Sequence, residues 1–263
     1  MKMTKRIVAM TACAVMACSV MVGEVPAISH NLTGFSTNAA ITDSSTLYKA
    51  TKSTLDSKVV QIIADYGDKY TTNRYSYSTG FIIGNHTIAT CAHGLYKAGR
   101  GYPVKVNILF KQNGTERDLN LSVTYDSATK NILVHSDYIS DQSGDYDLGV
   151  ITTKRDISSY GKFALNTNYT PDKKNYHTYT VKGYPMESGY SEYHNYQCYS
   201  SGDYKSSTTT KLRYYASTLE GMSGSPVLYD GNVVAINTGN VSNSDTTYNY
   251  GVRTLSWFSD KIS

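Results

Sequence analysis

The strongest constraint on this chain is its punctuation. From Lys58 onward, short β-branched and apolar runs alternate with turn dipeptides, and no run of ten or more residues carries a convincing helical apolar period before the last turn. Phe81-Ile82-Ile83 and Thr87-Ile88-Ala89-Thr90 flank Gly84-Asn85. Val106 to Phe110 and Leu119 to Val123 flank a loop containing Asn113-Gly114, and Val227-Leu228-Tyr229 and Val233 to Ile236 flank Asp230-Gly231. Asn-Gly and Asp-Gly supply the positive φ angles of tight hairpins, so antiparallel pairing is expected. The fold class read from this pattern is all-β. A polar stretch from Thr152 to about Lys174, with Lys154-Arg155-Asp156 and Pro171-Asp172, interrupts the strands and reads as the link between two β units.

A chain of 263 residues has room for two such units. Its 25 tyrosines favour extended, half-buried strands over a dedicated glycan platform. At the N-terminus, Lys2, Lys5 and Arg6 precede an apolar run from Ile7 to Val22 that is short for a membrane span. Residues 1–27 therefore read as an export signal, with cleavage after Val25-Pro26-Ala27. Ala17-Cys18 offers a second reading, lipid anchoring at Cys18. Of the 30 residues from Ile28 to Ser57, 14 are Ser, Thr or Asn, which reads as a propeptide or flexible lead-in. The two β units are then expected at 58–157 and 158–263.

Removing the signal takes away three positive charges and Glu24, so the net charge falls from +4 to +2. That balance points neither to nucleic acid nor to an anionic membrane, and a secreted monomer is expected. Cys91 and Cys198 then remain, open either to one disulfide or to two buried thiols. No His/Cys spacing announces zinc, so neither metal nor cofactor is expected.

Three segments carry reactive groups: Thr90-Cys91-Ala92-His93-Gly94, Asp145-Tyr146-Asp147-Leu148, and Gly221-Met222-Ser223-Gly224-Ser225-Pro226. Acyl transfer needs a hydroxyl nucleophile, a base that titrates near neutrality and a carboxylate that holds the base in one tautomer. Ser223, His93 and Asp147 fit those roles. Gly221 and Ser223 would donate backbone N–H groups to the oxyanion, because glycines beside the serine let the chain turn tightly. His, Asp and Ser occur in that order, the first two in one β unit and the third in the other, so a cleft between the units is expected. His86, His135, His177 and His194 have no such context and read as surface or structural.

Thr90-Cys91-Ala92-His93 is similar to the Thr-Ala-Ala-His signature of chymotrypsin-like serine proteases. Gly221 to Val227 resembles the Gly-x-Ser-Gly-Ser-Pro-Val loop of their bacterial glutamyl endopeptidase branch. Val181-Lys182-Gly183-Tyr184-Pro185 and Asn249 to Arg253 resemble further segments of that branch. The resemblance runs from about Lys58 to Arg253. It implies two six-stranded antiparallel β-barrels with the active site between them, and a secreted endopeptidase acting on proteins or peptides. It selects Asp147 over Asp145, because the family's aspartate is followed directly by Leu or Ile. It also implies a substrate pocket walled by Ser217, Thr218, Asn237 and Thr238. The branch carries histidine where Asn237 stands, so an acidic preference stays open without support from charge. An inactive protease-like binding protein and a tyrosine-rich surface-adhesion module are the rival readings.

Overall fold

The structure is a computed structural model that describes residues 47–172, 177–242 and 247–262. The expected export signal, and the lead-in up to residue 46, lie outside the described residues. In chain order the elements of the first half are β1 (Tyr48–Lys49), β2 (Val59–Asp65), β3 (Tyr75–Ile82), β4 (Thr87–Thr90), β5 (Lys105–Phe110), β6 (Leu119–Thr124), β7 (Ile132–Val134), α1 (Ser136–Asp141) and β8 (Gly149–Thr152). The second half holds β9 (Thr178–Gly183), β10 (Cys198–Ser207), β11 (Lys211–Tyr214), β12 (Pro226–Tyr229), β13 (Asn232–Ser242) and β14 (Thr247–Val252).

The strands form two antiparallel sheets, ordered β6-β5-β2-β3-β4-β8-β7 and β1-β10-β11-β14-β13-β12-β9. Two barrel-like units are present, as expected, but they differ. A ladder from Cys198↔Gly183 to Asp203↔Thr178 closes the second sheet into a six-stranded barrel, with β1 added on β10. The first sheet has seven strands and curls without a ladder between its end strands β6 and β7. One cause is visible at that edge. The Asn131 side chain donates to Thr124 O at 2.8 Å and accepts from Asp126 N at 2.9 Å, taking up backbone groups that a neighbouring strand would otherwise pair.

The hairpins occur where the turn dipeptides stand. Asp230 and Gly231 have φ of 48° and 75° and join β12 to β13 with Tyr229 opposite Asn232. Gly114 has φ of 67° in the β5–β6 connection. Gly84-Asn85 works differently. Neither residue is left-handed there, and Ile83 and Gly84 both donate to Thr87 O in a wider turn. Alternation along the strands sorts their residues into layers. In β2, Val60, Ile62 and Ala64 enter the interior of the first sheet, whereas Val59 joins a cluster between the sheets with Phe81, Leu148, Tyr184 and Ile236. Each aliphatic side chain buried there contributes roughly 1.5–3 kcal/mol.

The polar stretch after β8 contributes to the same join. Phe163 N donates to Ile82 O on one sheet, and Val233 N on the other donates to Ala164 O, each at 2.9 Å. The end of the Ser/Thr-rich lead-in is also built onto the second barrel. Leu47 and Ala50 are buried, Ala50 N donates to Gln197 O at 2.8 Å, and Asp56 pairs with Lys182 at 2.8 Å.

At the far end of β2, Arg74 grips the buried Asp65 carboxylate with Nε and a terminal nitrogen at 2.8 and 2.9 Å. Those bonds outweigh the cost of burial and lower the Asp65 pKa to about 2. A carboxyl depressed on folding stabilises above its unfolded pKa and loses that contribution as pH falls through its folded one. Arg74→Ala should therefore destabilise the fold at pH 7, by an amount reduced by solvent screening because the Arg74 side chain is 34% exposed. By pH 3 that gap should shrink by about half. Denaturant unfolding of both proteins at the two pH values checks this; an unchanged gap would contradict the assignment.

Candidate active site

β4 ends at Thr90, and the chain then tightens into a turn in which Leu95 and Tyr96 N–H both donate to Ala92 O at 2.8 Å. His93 is carried on that turn. Asp147 lies two residues ahead of β8, which pairs with β4 through Thr90↔Gly149, so neighbouring strand ends bring the two side chains together. Leu148, fully buried between the sheets, fixes the approach. The His93 ring donates from Nδ1 to Asp147 Oδ2 at 2.6 Å, and His93 backbone N–H donates to Asp147 Oδ1 at 2.8 Å. Both carboxylate oxygens are thereby used on one residue. Burial pushes the imidazole pKa down, but the Asp147 carboxylate and the Cys91 sulfur beside it prevail and hold it well above its ordinary value. Asp145 is engaged elsewhere, in an ion pair with Lys211 at 2.8 Å.

The serine loop precedes β12 and packs on the first sheet. Gly224 has φ of 87°, and a Cβ there would come within 2.1 Å of Thr79 O and 2.3 Å of Thr90 Oγ1. Glycine is required on both counts. Gly183 is needed for proximity alone, because a Cβ at the end of β9 would meet Ser225 Oγ at 2.1 Å. Inside the loop, Met222, Gly224 and Ser225 N–H groups donate to Leu219, Asn237 and Met222 carbonyls. Among the described residues no protein acceptor takes the N–H of Gly221 or Ser223.

Thr79 is a positioning residue that the sequence does not announce. Its N–H donates to Ser223 O at 2.8 Å, its hydroxyl donates to Gly221 O at 2.9 Å, and its carbonyl accepts from Thr90 Oγ1 at 2.6 Å. It therefore ties the serine loop to the strand that leads to His93. In sequence Thr79 is only one more residue of a strand, and no local signal marks it.

His93 and Ser223 open onto one cleft of about 370 Å3, which Gly221, Glu220, Lys97, Tyr75 and Tyr138 also line. No hydrogen bond joins Ser223 Oγ to His93 Nε2, whose neighbour is Cys91 Sγ at 3.7 Å. Such bonds are often loose without substrate and tighten in the reacting complex. Of the expected pocket walls, Ser217 and Thr218 are fully buried, and Thr218 and Thr238 have buried hydroxyls with no hydrogen-bond partner. Asn237, the remaining wall implied by the resemblance, is fully buried and held at both ends. Its Oδ1 accepts from Tyr214 of β11 at 2.7 Å and its Nδ2 donates to Met222 O at 3.0 Å, so one end is held by the barrel wall and the other braces the serine loop.

Cys91 and Cys198 are free, buried thiols, and burial pushes Cys198 up to about 12. The other described histidines make their contacts elsewhere. His86 bonds Thr153 O at 3.1 Å, His135 caps α1, His194 bonds Glu187 O at 2.7 Å, and His177 is buried against Tyr229.

This architecture recurs in solved structures. A Glu endopeptidase in complex with MPD superposes with a TM-score of 0.64 at 23% identity, over 82% of this chain and 94% of that one. Protease Anisep from Arthrobacter nicotinovorans gives 0.62 at 12% identity, over 79% and 93%. A scabies mite inactivated protease paralogue gives 0.62 at 13% identity, over 81% and 97%. At these identities the likeness is one of fold. No curated protein sequence matches the chain. The model of the trypsin-like peptidase domain matches residues 78–236, a span that runs from β3 through the turn of His93, Asp147 and the serine loop to β13. The chain belongs to the trypsin-like peptidase domain family.

Proposed function

We propose that the chain is a serine endopeptidase that hydrolyses peptide bonds through an acyl-enzyme, with Ser223 as nucleophile, His93 as general base and Asp147 as the group that orients the base. The observation that carries this reading is the two-point hold of Asp147 on His93, 2.6 and 2.8 Å, in the cleft that also receives Ser223. Once the ring has released its second proton, the one kept on Nδ1 by the carboxylate leaves the Nε2 lone pair free to accept the Ser223 hydroxyl proton as Oγ attacks the substrate carbonyl. The charge that develops on that oxygen falls to the uncommitted N–H groups of Gly221 and Ser223. His93 then returns the proton to the leaving amine, and water, activated by the same base, releases the acyl group. On this reading the protein is exported, as the basic start and apolar run of residues 1–27 support.

The neighbour that is an inactivated paralogue supports a second reading, the same fold without turnover. A fluorophosphonate probe separates the two. The expected result is covalent labelling, mapped by mass spectrometry to the peptide that contains Ser223; a folded protein that never labels, with its lead-in present or removed, would overturn the enzymatic reading. Substrate choice we assign to Ser217, Thr218 and Thr238. The unpartnered hydroxyls of Thr218 and Thr238 support a polar side chain before the scissile bond. Cleavage of a peptide library, with Glu compared against Gln at that position, tells charge from polarity.

A further inference from the structure

Cys91 has no part in the mechanism above, yet its thiol lies beside the reacting nitrogen. We propose that Cys91 Sγ and His93 Nε2 bind a soft divalent cation, Zn2+, and that the bound ion blocks the proposed peptidase. The blocking rests on the proposed function; the metal site does not.

The geometry carries it. Sγ and Nε2 are 3.7 Å apart. A tetrahedral zinc with bonds of about 2.3 Å to sulfur and about 2.0 Å to nitrogen sets its two ligand atoms roughly 3.5 Å apart. The pair is therefore spaced to share one ion with little movement. Asp147 completes the pattern from behind. Its Oδ2 holds Nδ1–H at 2.6 Å, which fixes the tautomer whose free lone pair is on Nε2. A carboxylate in that position is the usual partner of a metal-ligating imidazole, and it raises the basicity of the ring. Asp147 is on the far side of the ring and is not itself a ligand.

The remaining coordination positions would be filled by water entering from the cleft that His93 lines, while Cys91, fully buried, reaches the ion from the protein side. No other described group hydrogen-bonds the Cys91 sulfur. Thiolate and imidazole are the ligand types that favour zinc over magnesium or calcium. Binding displaces the thiol proton of Cys91 to solvent as the sulfur–metal bond forms. Once Nε2 donates its lone pair to the metal, it cannot accept the Ser223 proton. A short Cys-x-His spacing on one turn is not a recognisable zinc motif, which is why only the folded arrangement shows the pair.

Cobalt reports the site without relying on activity. Ser223→Ala protein, kept reduced with a non-coordinating phosphine, should bind one Co2+ with a thiolate-to-cobalt charge-transfer band in the near ultraviolet, and Zn2+ should displace it. With Cys91→Ser added, the band should vanish while circular dichroism shows an intact fold. Cys91→Ala serves the same purpose should the serine variant not fold. Absence of the band in the parent, or its persistence without Cys91, would overturn the site.

Coupling is read separately. Zn2+, but not Mg2+, should suppress fluorophosphonate labelling of Ser223, and Cys91→Ser should raise the half-inhibiting Zn2+ concentration at least tenfold. Cobalt bound through Cys91 with labelling undiminished by Zn2+ would refute the blocking. A protein that binds cobalt through Cys91 but never labels would refute the peptidase reading while supporting the metal site.

Discussion

Replacing Ser223 by alanine is expected to lower kcat by about six orders of magnitude, the size of loss that follows when the nucleophile of a working triad is removed. The reason is chemical rather than structural. The backbone of Ser223 is held by Thr79 N–H, and the loop around it by Met222, Gly224 and Ser225, none of which uses the hydroxyl. Stability should therefore be nearly unchanged. Steady-state kinetics on a peptide taken from library profiling, with the thermal midpoint as control, checks both halves. Activity within tenfold of the parent at an intact midpoint would mean that the nucleophile is elsewhere.

Asp147→Asn should reduce kcat by about four orders of magnitude with the fold retained. An amide can keep its oxygen on the His93 backbone N–H, as Oδ1 does now at 2.8 Å. Its NH2 group would then face Nδ1 and demand an acceptor there, so the ring proton moves to Nε2 and the base has no lone pair for Ser223. The loss is one of tautomer, not of position. Asp145→Asn is the matching control. It weakens the half-buried pair with Lys211, which touches neither His93 nor Ser223, so kcat should stay within a few-fold of the parent. Comparable losses in both variants would assign the effect to general electrostatics and remove Asp147 from its role.

The three reactive segments were legible because each is local: a strand end before His93, an aspartate ahead of an apolar run, and glycines around a serine. Hairpins were legible for the same reason, since a turn's φ angles depend on the two or three residues that make it. The Gly84-Asn85 turn shows the limit, because Thr87 organises it through hydrogen bonds that need no positive φ. Asn237 marks another. The family resemblance made it a pocket wall, but no neighbouring residue foretells that its side chain bonds the Tyr214 hydroxyl, from a strand 23 residues earlier. Thr79 has no signal of its own, and its importance comes from a serine loop that folds back across more than a hundred residues of chain.

What the sequence by itself determined, then, is the all-β class, the trypsin-like family pattern and the residue types for acyl transfer, because alternation, turn propensity and side-chain chemistry are properties of short segments. What only the tertiary structure decided is which groups meet. The closure of one barrel and not the other depends on strand ends distant in sequence, as does the uniting of His93 with Asp147 across paired strands. Folding likewise sets the Cys91 sulfur against Nε2. These contacts arise when chain segments are packed at fixed distances, and no run of adjacent residues encodes a distance between remote ones.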